Sequence, residues 1–193
     1  YPHGIVQLSP DTITGGDVAS GYDYNHKTIE GFSFTHMSGT GWFGDFGNIQ
    51  VMPMVTNGYA RPCSRFSHAT EHAEAGYYRV FLEDPGVTAE ATCSASAGML
   101  RLTYPEAKDS QLTIDFARRV GEVNHPKVFS CQTVEMISPT EFQGEIYCDH
   151  RDGGWGHGYG DVDYTLYFHA ICSKPLRQVE RIGGDSNAVL RCH

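Results

Sequence analysis

The feature that most limits the fold of this chain is the recurrence of short runs of β-branched and aromatic residues, each bounded by Gly, Pro, Asn or Asp. Such runs predict β-strands, because branched and aromatic side chains pack well on a pleated surface and the bounding residues favour turns. Ten runs fit, at residues 4–8, 48–52, 76–82, 87–94, 99–104, 111–116, 128–132, 133–137, 141–147 and 162–172. Helical periodicity is nearly absent, and only residues 69–75 favour a helical turn. The pattern predicts an all-β fold, a single antiparallel β-sandwich domain over residues 1–193.

The charge balance narrows the class of partner. The chain carries 14 Lys and Arg against 23 Asp and Glu, a formal net charge of −9. Binding to a phosphate backbone depends on an excess of basic side chains that displace counterions, so nucleic acid is not an expected partner. A membrane span is not expected either, because no stretch approaches about 18 consecutive apolar residues. The composition leaves open what an acidic domain rich in glycine and aromatic residues binds.

The cysteines point to a compartment. There are six, at Cys63, Cys93, Cys131, Cys148, Cys172 and Cys192, and none belongs to a C-x-x-C pair. An even number at wide spacing predicts disulfides in a secreted domain, and hence an extracellular or periplasmic location. The alternative is a set of buried free thiols that pack as small apolar side chains.

Two glycine-rich segments interrupt the strand pattern, at residues 31–47 and 149–161. Each contains one of the two tryptophans of the chain, Trp42 and Trp155. Glycine allows close backbone approach at an entropic cost, and loops on a rigid β scaffold often carry binding residues. We therefore expect a binding surface in these two segments.

Two motif-like patterns lack the context that would give them meaning. Residues 39–44 match G-x-G-x-x-G, but no helix pattern follows to receive a pyrophosphate, so a nucleotide site is not expected. His68, Glu71 and His72 have metal-ligand spacing only on a full helix, and we interpret them as polar loop residues. No nucleophile has a recognisable base, and no carboxylate spacing singles out an acid–base pair. The chain alone therefore shows no complete catalytic apparatus.

Carbohydrate binding fits the two glycine-rich segments better. Sugars present C–H faces that pack on aromatic rings and hydroxyl groups that bind polar side chains. Trp42 lies near Ser38, Thr40 and Asp45, and the second segment places Asp152, His157 and Asp161 around Trp155. The alternative for each tryptophan is packing within the core or the loop, since buried aromatic rings serve both purposes.

Several sequence blocks point to one family. The first are V-Q-L-S-P-D-T at 6–12, G-Y-D-Y at 21–24, I-E-G-F-S at 29–33 and H-M-S-G-T-G at 36–41. Further blocks are D-F-G-N-I at 45–49, F-S-H at 66–68, A-E-A-G-Y-Y at 73–78, G-V-T-A-E at 86–90, G-W-G at 154–156, Y-T-L-Y-F at 164–168 and S-K-P at 173–175. In this order they resemble the N-terminal domain of glycoside hydrolase family 92, a family of calcium-dependent, inverting exo-α-mannosidases. The chain departs from the family pattern at Phe34 and Ser96, where His and Arg are expected.

The resemblance carries expectations about fold and site. It implies a β-sandwich of the galactose-mutarotase-like supersandwich type, paired in the family with a C-terminal (α/α)₆ barrel that this chain lacks. The barrel would supply the catalytic carboxylates and most calcium ligands, so we expect no catalytic residue and no metal ligand in this chain. The sandwich would form one wall of the mannose pocket. The predicted substrate-binding residues are His36, Ser38, Gly39, Thr40, Gly41, Trp42, Asp45 and Trp155.

The predicted function is that of a carbohydrate-interacting N-terminal domain of an α-mannosidase-like glycoside hydrolase. Its expected partners are α-mannosides or other glycans and the C-terminal barrel domain or another copy of the chain. Inversion needs two carboxyl groups about 6.5–9.5 Å apart, so we expect no mannosidase activity from this chain alone. Two alternatives stay open, a stand-alone lectin-like module and a structural, self-assembling β-sandwich with exposed strand edges.

Overall fold

The computed structural model describes residues 4–12, 21–36, 46–55, 63–106, 110–116, 118, 131–148, 163–176, 179–182 and 189–192. Fifteen strands and one short 3₁₀ helix, η1 (His68–Thr70), lie in these ranges. The strands are β1 (Ser9–Asp11), β2 (Thr28–Ile29), β3 (Gly31–Ser33), β4 (Gln50–Met54), β5 (Ser64–Arg65), β6 (His72–Glu74), β7 (Tyr77–Leu82), β8 (Val87–Cys93), β9 (Gly98–Thr103), β10 (Gln111–Asp115), β11 (Cys131–Ser138), β12 (Glu141–Cys148), β13 (Tyr164–Ile171), β14 (Val179–Ile182) and β15 (Val189–Cys192). The predicted all-β sandwich is confirmed.

Most predicted strands form where the residue pattern places them, but three segments differ. Residues 4–8 do not form a strand. Their backbone donates single hydrogen bonds to two different segments, from Val6 N to Ala95 O and from Gln7 N to Phe34 O, rather than a continuous ladder to one partner. The two runs at 128–132 and 133–137 meet in one strand, β11, whose first described residue is Cys131. Of the helical turn predicted over 69–75, only η1 forms, and the chain then enters β6.

The strands form antiparallel sheets. The largest has six strands in the order β1-β3-β4-β10-β15-β14, and a four-stranded sheet has the order β6-β7-β8-β9. A three-stranded sheet, β11-β12-β13, and a short pair, β2-β5, complete the described strands. The glycine-rich segment predicted as a loop over 31–47 begins with β3, which is the second strand of the six-stranded sheet and pairs with β1 and β4.

Two apolar clusters join the sheets. One links the six-stranded to the four-stranded sheet, with Phe32 packed against Tyr78 at a ring-centroid distance of 6.5 Å. The other links the six-stranded to the three-stranded sheet, where fully buried Phe116 stacks on Phe168 at 5.0 Å and meets Phe142 edge-on at 6.4 Å. Burial of each such side chain contributes about 1.5–3 kcal/mol to folding. The six-stranded sheet is therefore the common layer of the domain.

Where β1, β3 and β4 adjoin, one face carries buried polar side chains. Strand pairing places Ser33 opposite both Ser9 and Gln50, while Phe32 lies opposite Val51. Because successive side chains alternate between faces, Ser33 and Gln50 share one face and Phe32 and Val51 the other. Asp11, Ser33 and Gln50 have at most 5% of their surface exposed. This buried polar face holds the site described below.

The structure also bears on the predictions about disulfides and a membrane span. Cys63, Cys93 and Cys172 are free thiols, so these three do not confirm the predicted disulfides, and burial raises the pKa of the Cys172 thiol. Within the ranges that the structure describes, no helix is long and apolar enough to cross a membrane.

Candidate functional site

One of the predicted sugar-binding residues, His36, lies within the described part of the chain. The others lie outside the described residues: Ser38, Gly39, Thr40, Gly41, Trp42, Asp45 and Trp155. His36 follows β3 by three residues and immediately precedes residues 37–45. The site can therefore be built from the structure that surrounds His36.

His36 belongs to a buried hydrogen-bond network with Asp11, Ser33 and Gln50, called here the Asp11 network. The Nε2 atom of His36 lies 2.8 Å from Oδ1 of Asp11. The other carboxylate oxygen of Asp11, Oδ2, accepts from the Ser33 hydroxyl and from the Gln50 side-chain amide, the latter at 2.6 Å. A buried carboxylate is costly unless it is paired and hydrogen-bonded, and here both oxygens of Asp11 have partners.

The second ring nitrogen of His36 also faces an acceptor. Its Nδ1 atom lies 2.8 Å from the backbone carbonyl oxygen of Gln7 and 3.2 Å from Oγ of Ser9. The ring donates to both Asp11 and Gln7 only when both nitrogens carry a proton. Burial disfavours the charged ring, but the hydrogen bond and charge of Asp11 outweigh it, so the pKa of His36 is raised above its usual value. The network therefore favours an imidazolium–carboxylate pair.

A glycine allows the chain to cover this pair. Gly21 adopts a φ of +80°, a conformation that side-chain-bearing residues rarely adopt. A Cβ atom at this position would collide with Oδ1 of Asp11 and would lie only 2.7 Å from Nε2 of His36. The backbone of the segment at Gly21, whose carbonyl accepts from Thr12 N at 2.7 Å, thus lies directly against the ion pair.

The two ends of the β3–β4 connection are hydrogen-bonded to each other. Thr35 O accepts from Gly47 N at 2.6 Å, and the Thr35 hydroxyl both donates to Oδ1 of Asn48 at 2.8 Å and accepts from Asn48 N at 2.9 Å. Ile49, the next residue, has a φ of +57°. Left-handed backbone at a residue branched at Cβ is strained and is held by the surrounding structure. The bonds of Thr35 with Gly47 and Asn48 thus hold the two ends of the connection close together.

A cavity of about 740 Å³ opens beside the Asp11 network. Its wall combines apolar side chains with six larger polar or aromatic ones: Tyr22, Tyr24, His36, His68, Glu71 and Tyr78. Concave sites with an apolar wall and a few polar groups are typical of small-molecule binding. His36 therefore faces the Asp11 network and also lines this cavity.

Glu71 organises the other polar side of the cavity, in a group with Tyr22, His68 and Tyr78 called here the Glu71 cluster. Its Oε1 atom accepts from the hydroxyls of Tyr22 at 2.8 Å and Tyr78 at 2.5 Å, and its Oε2 atom lies 2.6 Å from Nδ1 of His68. Burial opposes ionisation of Glu71, but the bonds from Tyr78, His68 and Tyr22 prevail and lower its pKa. Burial and the hydrogen bond to Glu71 raise the pKa of both tyrosines.

The same cluster shows what the His68-Glu71-His72 pattern does. His68 binds Glu71 and the carbonyl oxygen of Tyr24, whereas His72 lies on exposed β6 with its Nε2 atom 3.8 Å from Glu74. Among the described residues, no three His, Cys, Asp or Glu side chains are grouped closely enough to hold a metal ion. Sequence reasoning missed the roles of Asp11, Tyr22 and Tyr78, although each lies in a block that carries the family resemblance.

The fold and the cavity define a class, an all-β sandwich domain with an open cavity beside a glycine-rich strand connection. Within this class, the model of the glycosyl hydrolase family 92 N-terminal domain matches residues 1–189. The chain belongs to this family, and the resemblance inferred from the sequence is confirmed.

Solved structures agree with this assignment. The chain is 30% identical to the family GH92 α-mannosidase BT3965 from Bacteroides thetaiotaomicron, with a TM-score of 0.80 over 99% of this chain and 28% of that one. The same protein is also known in complex with mannoimidazole. The chain also aligns with the GH92 inverting mannosidase BT2199 from Bacteroides thetaiotaomicron, at 20% identity and a TM-score of 0.73. The alignment covers 100% of this chain and 26% of that protein, and it shows the shared fold. The chain thus spans little more than a quarter of the length of these relatives. Among curated proteins, none matches this chain.

Proposed function

We propose that this chain is the carbohydrate-binding N-terminal domain of an α-mannosidase-like glycoside hydrolase and forms one wall of its mannose site. The observation that carries the proposal is the alignment of 99% of this chain with an α-mannosidase that also binds mannoimidazole. In this proposal the residues that bind the sugar are those predicted from the sequence: His36, Ser38, Gly39, Thr40, Gly41, Trp42, Asp45 and Trp155. The barrel domain typical of the family is the proposed partner, and α-mannosides are the proposed ligands.

The structure around the proposed wall supports this assignment. His36 lies two residues before the S-G-T-G-W block, is held by the Asp11 network and lines a cavity of about 740 Å³. The bonds between Thr35 and Asn48 hold the two ends of the connection that contains this block. A rigid frame with glycine-rich backbone between its ends suits close approach to a sugar.

Calcium stays a prediction for the whole enzyme, with most of its ligands expected in the barrel domain. The family resemblance associates calcium with the whole enzyme, but the described residues offer no group of three metal-binding side chains. The extracellular or periplasmic location also stays a prediction, based on the six cysteines.

Calorimetric titration with mannoimidazole tests the proposal. The wild-type chain should bind, and Trp42→Ala should weaken binding about tenfold, or ~1.4 kcal/mol, because an aromatic face is lost. Tyr167→Ala is the control. Tyr167 is 73% exposed on β13, so this substitution removes an aromatic ring at a site away from the proposed wall. No binding at millimolar mannoimidazole, or equal losses in both variants, would contradict the proposal.

Activity measurements separate this function from catalysis. We expect the chain alone to leave an aryl α-mannoside intact, because the family resemblance assigns both catalytic carboxyl groups to the barrel. Hydrolysis that disappeared when a carboxylate of this chain was replaced would contradict that expectation.

A further inference from the structure

The cavity beside the Asp11 network carries a negative charge on its other side. Glu71 lines the cavity, and because the pKa of this carboxyl is lowered from 4.5, Glu71 is ionised at neutral pH. Among the described residues that line the cavity, none is Lys or Arg. The two histidines in the wall are each bonded to a carboxylate, His36 to Asp11 and His68 to Glu71. The wall therefore has no excess of positive charge, and it favours a cation as ligand.

Three tyrosines line the same cavity: Tyr22, Tyr24 and Tyr78. Tyr22 and Tyr78 are held by their hydrogen bonds to Glu71, at 2.8 and 2.5 Å. Tyr24 is held by stacking on His68, with ring centroids 4.0 Å apart and planes within 10° of parallel. Aromatic rings attract cations, and groups of such rings recognise quaternary ammonium ions. The cavity thus combines an ionised carboxylate with aromatic rings in fixed positions.

The hydrogen bonds of Glu71 indicate which kind of cation fits. A carboxylate offers about four acceptor positions. Oε1 accepts from both Tyr22 and Tyr78. Oε2 lies 3.0 Å from the hydroxyl of Tyr22 and 2.6 Å from Nδ1 of His68. A ligand N–H group would have to displace one of these bonds, whereas a quaternary ammonium ion has no N–H and is attracted by the charge without displacing any.

The remaining wall suits the methyl groups of such an ion. Its apolar side chains include Val6, Leu8, Pro10 and Ala73. Methyl groups are favourably buried against apolar surface, while the charge that they surround remains attracted to the carboxylate. The volume of about 740 Å³ exceeds that of a quaternary ammonium head and leaves space for the rest of a larger molecule.

We propose that the cavity at the Glu71 cluster binds an organic cation with a quaternary ammonium head. Glu71 supplies the charge, and Tyr22, Tyr24 and Tyr78 supply the aromatic surface. The inference goes beyond the proposed sugar binding and does not depend on it. The occupant is a free cation rather than a lipid headgroup, because the phosphate of a headgroup would be repelled by Glu71, and no Lys or Arg stands among the described lining residues to pair with it.

A matched pair of probes tests the role of charge in ligand-observed NMR titrations of the 193-residue chain at neutral pH. Choline and 3,3-dimethyl-1-butanol have the same shape, and each gives one strong methyl signal, but only choline is charged. Choline should bind at least about tenfold more tightly than the alcohol. Tetramethylammonium should likewise bind more tightly than methylammonium. Equal binding of choline and the alcohol, or a preference for methylammonium, would overturn the proposal.

Glu71→Gln tests the carboxylate. This variant should weaken choline binding by about tenfold and leave binding of the alcohol within about twofold. Glu90→Gln is the control, because it removes the same charge from a carboxylate that also accepts from a phenol, Tyr77, but that lies outside the cavity wall. Equal losses in the two variants would assign the effect to the net charge of the chain and overturn the site.

Tyr24 variants keep the proposal testable if Glu71→Gln fails to fold, because Tyr24 is 65% exposed. Tyr24→Ala should weaken choline binding by about threefold or more, whereas Tyr24→Phe keeps the ring and should stay within about twofold of wild type. Tyr167→Ala removes a ring that is 73% exposed on β13 and should have no effect. Unchanged binding in Tyr24→Ala, or an equal loss in Tyr167→Ala, would contradict the aromatic contact.

Two further probes separate a free cation from a lipid headgroup. Choline should bind more tightly than phosphocholine, and the chain should not cosediment with phosphatidylcholine vesicles. Cosedimentation that Glu71→Gln abolishes would overturn the free cation as the occupant. The two proposals also fail separately: absence of mannoimidazole binding would contradict the sugar-binding function alone, and absence of choline and tetramethylammonium binding would overturn this inference alone.

Discussion

Replacement of Glu71 by Gln tests whether the Glu71 cluster is held by charge. The carboxylate side chain is 9% exposed and accepts from Tyr22, Tyr78 and His68 at 2.5–3.0 Å. Gln can keep both phenol bonds through its oxygen, and neutral His68 can accept from its amide. The three bonds then survive as neutral bonds, each weaker by about 1 kcal/mol than its charged counterpart. We expect Glu71→Gln to lower the free energy of unfolding by about 2–4 kcal/mol at neutral pH.

The pH dependence identifies the cause of this loss. The pKa of Glu71 is lowered from 4.5 in the folded protein, so its ionisation stabilises the fold above that pH. This contribution disappears as the pH falls through the lowered folded-state pKa and the carboxylate takes up a proton. Urea unfolding followed by circular dichroism should therefore show the difference between wild type and Glu71→Gln shrinking below pH 4.5.

Glu90 provides a matched control. Its carboxylate also accepts from a phenol, Tyr77, at 2.6 Å, and from Arg101 at 2.6 and 2.7 Å, which lower its pKa to about 2. Because solvent screens this group, Glu90→Gln should cost less than Glu71→Gln. A larger loss for Glu90→Gln, or a Glu71→Gln deficit that persists unchanged in acid, would refute the reasoning.

Two substitutions test the packing between sheets. Phe116→Ala should lower the free energy of unfolding by about 3–5 kcal/mol, because loss of a fully buried ring that packs on Phe142 and Phe168 leaves a cavity. Phe81→Ala should lower it by less than about 1 kcal/mol, because Phe81 is 38% exposed. Similar midpoints in urea for the two variants would argue against the second apolar cluster. Gly144→Ala should destabilise more than Gly76→Ala, since its Cβ would strike the carbonyl oxygen of Thr133 and approach Phe168 to 2.7 Å. Thermal unfolding compares the two, and a Gly144→Ala variant as stable as Gly76→Ala would contradict the register of β11 and β12.

Strand content could be predicted because its signals are local. The runs that became β7, β8, β9, β10 and β12 match their observed bounds within a residue or two, since alternating apolar side chains and flanking turns act over a few residues. Very short strands such as β2 and β5 were not predicted. Their pairing depends on a partner far along the chain rather than on their own composition.

The candidate site was predicted only in part. The glycine-rich block pointed to residues 36–45, and of these the structure describes His36, which it places beside the cavity. The Glu71 cluster was not predicted, because Tyr22 and Glu71 are 49 residues apart in the chain and meet only when the elements pack. The spacing of His68, Glu71 and His72 suggested a shared helical face, but β6 begins at His72 and separates it from the other two.

By itself, the sequence determined the all-β class, the family and the segment in which sugar contacts are proposed, because each depends on patterns of neighbouring residues. Only the tertiary structure decided that Asp11 is a buried charge. Its partners His36 and Gln50 lie 25 and 39 residues away, and an Asp in a short strand would otherwise be expected to face water. Burial of a charge requires that its partners arrive together, and long-range strand pairing brings them to one face of the sheet.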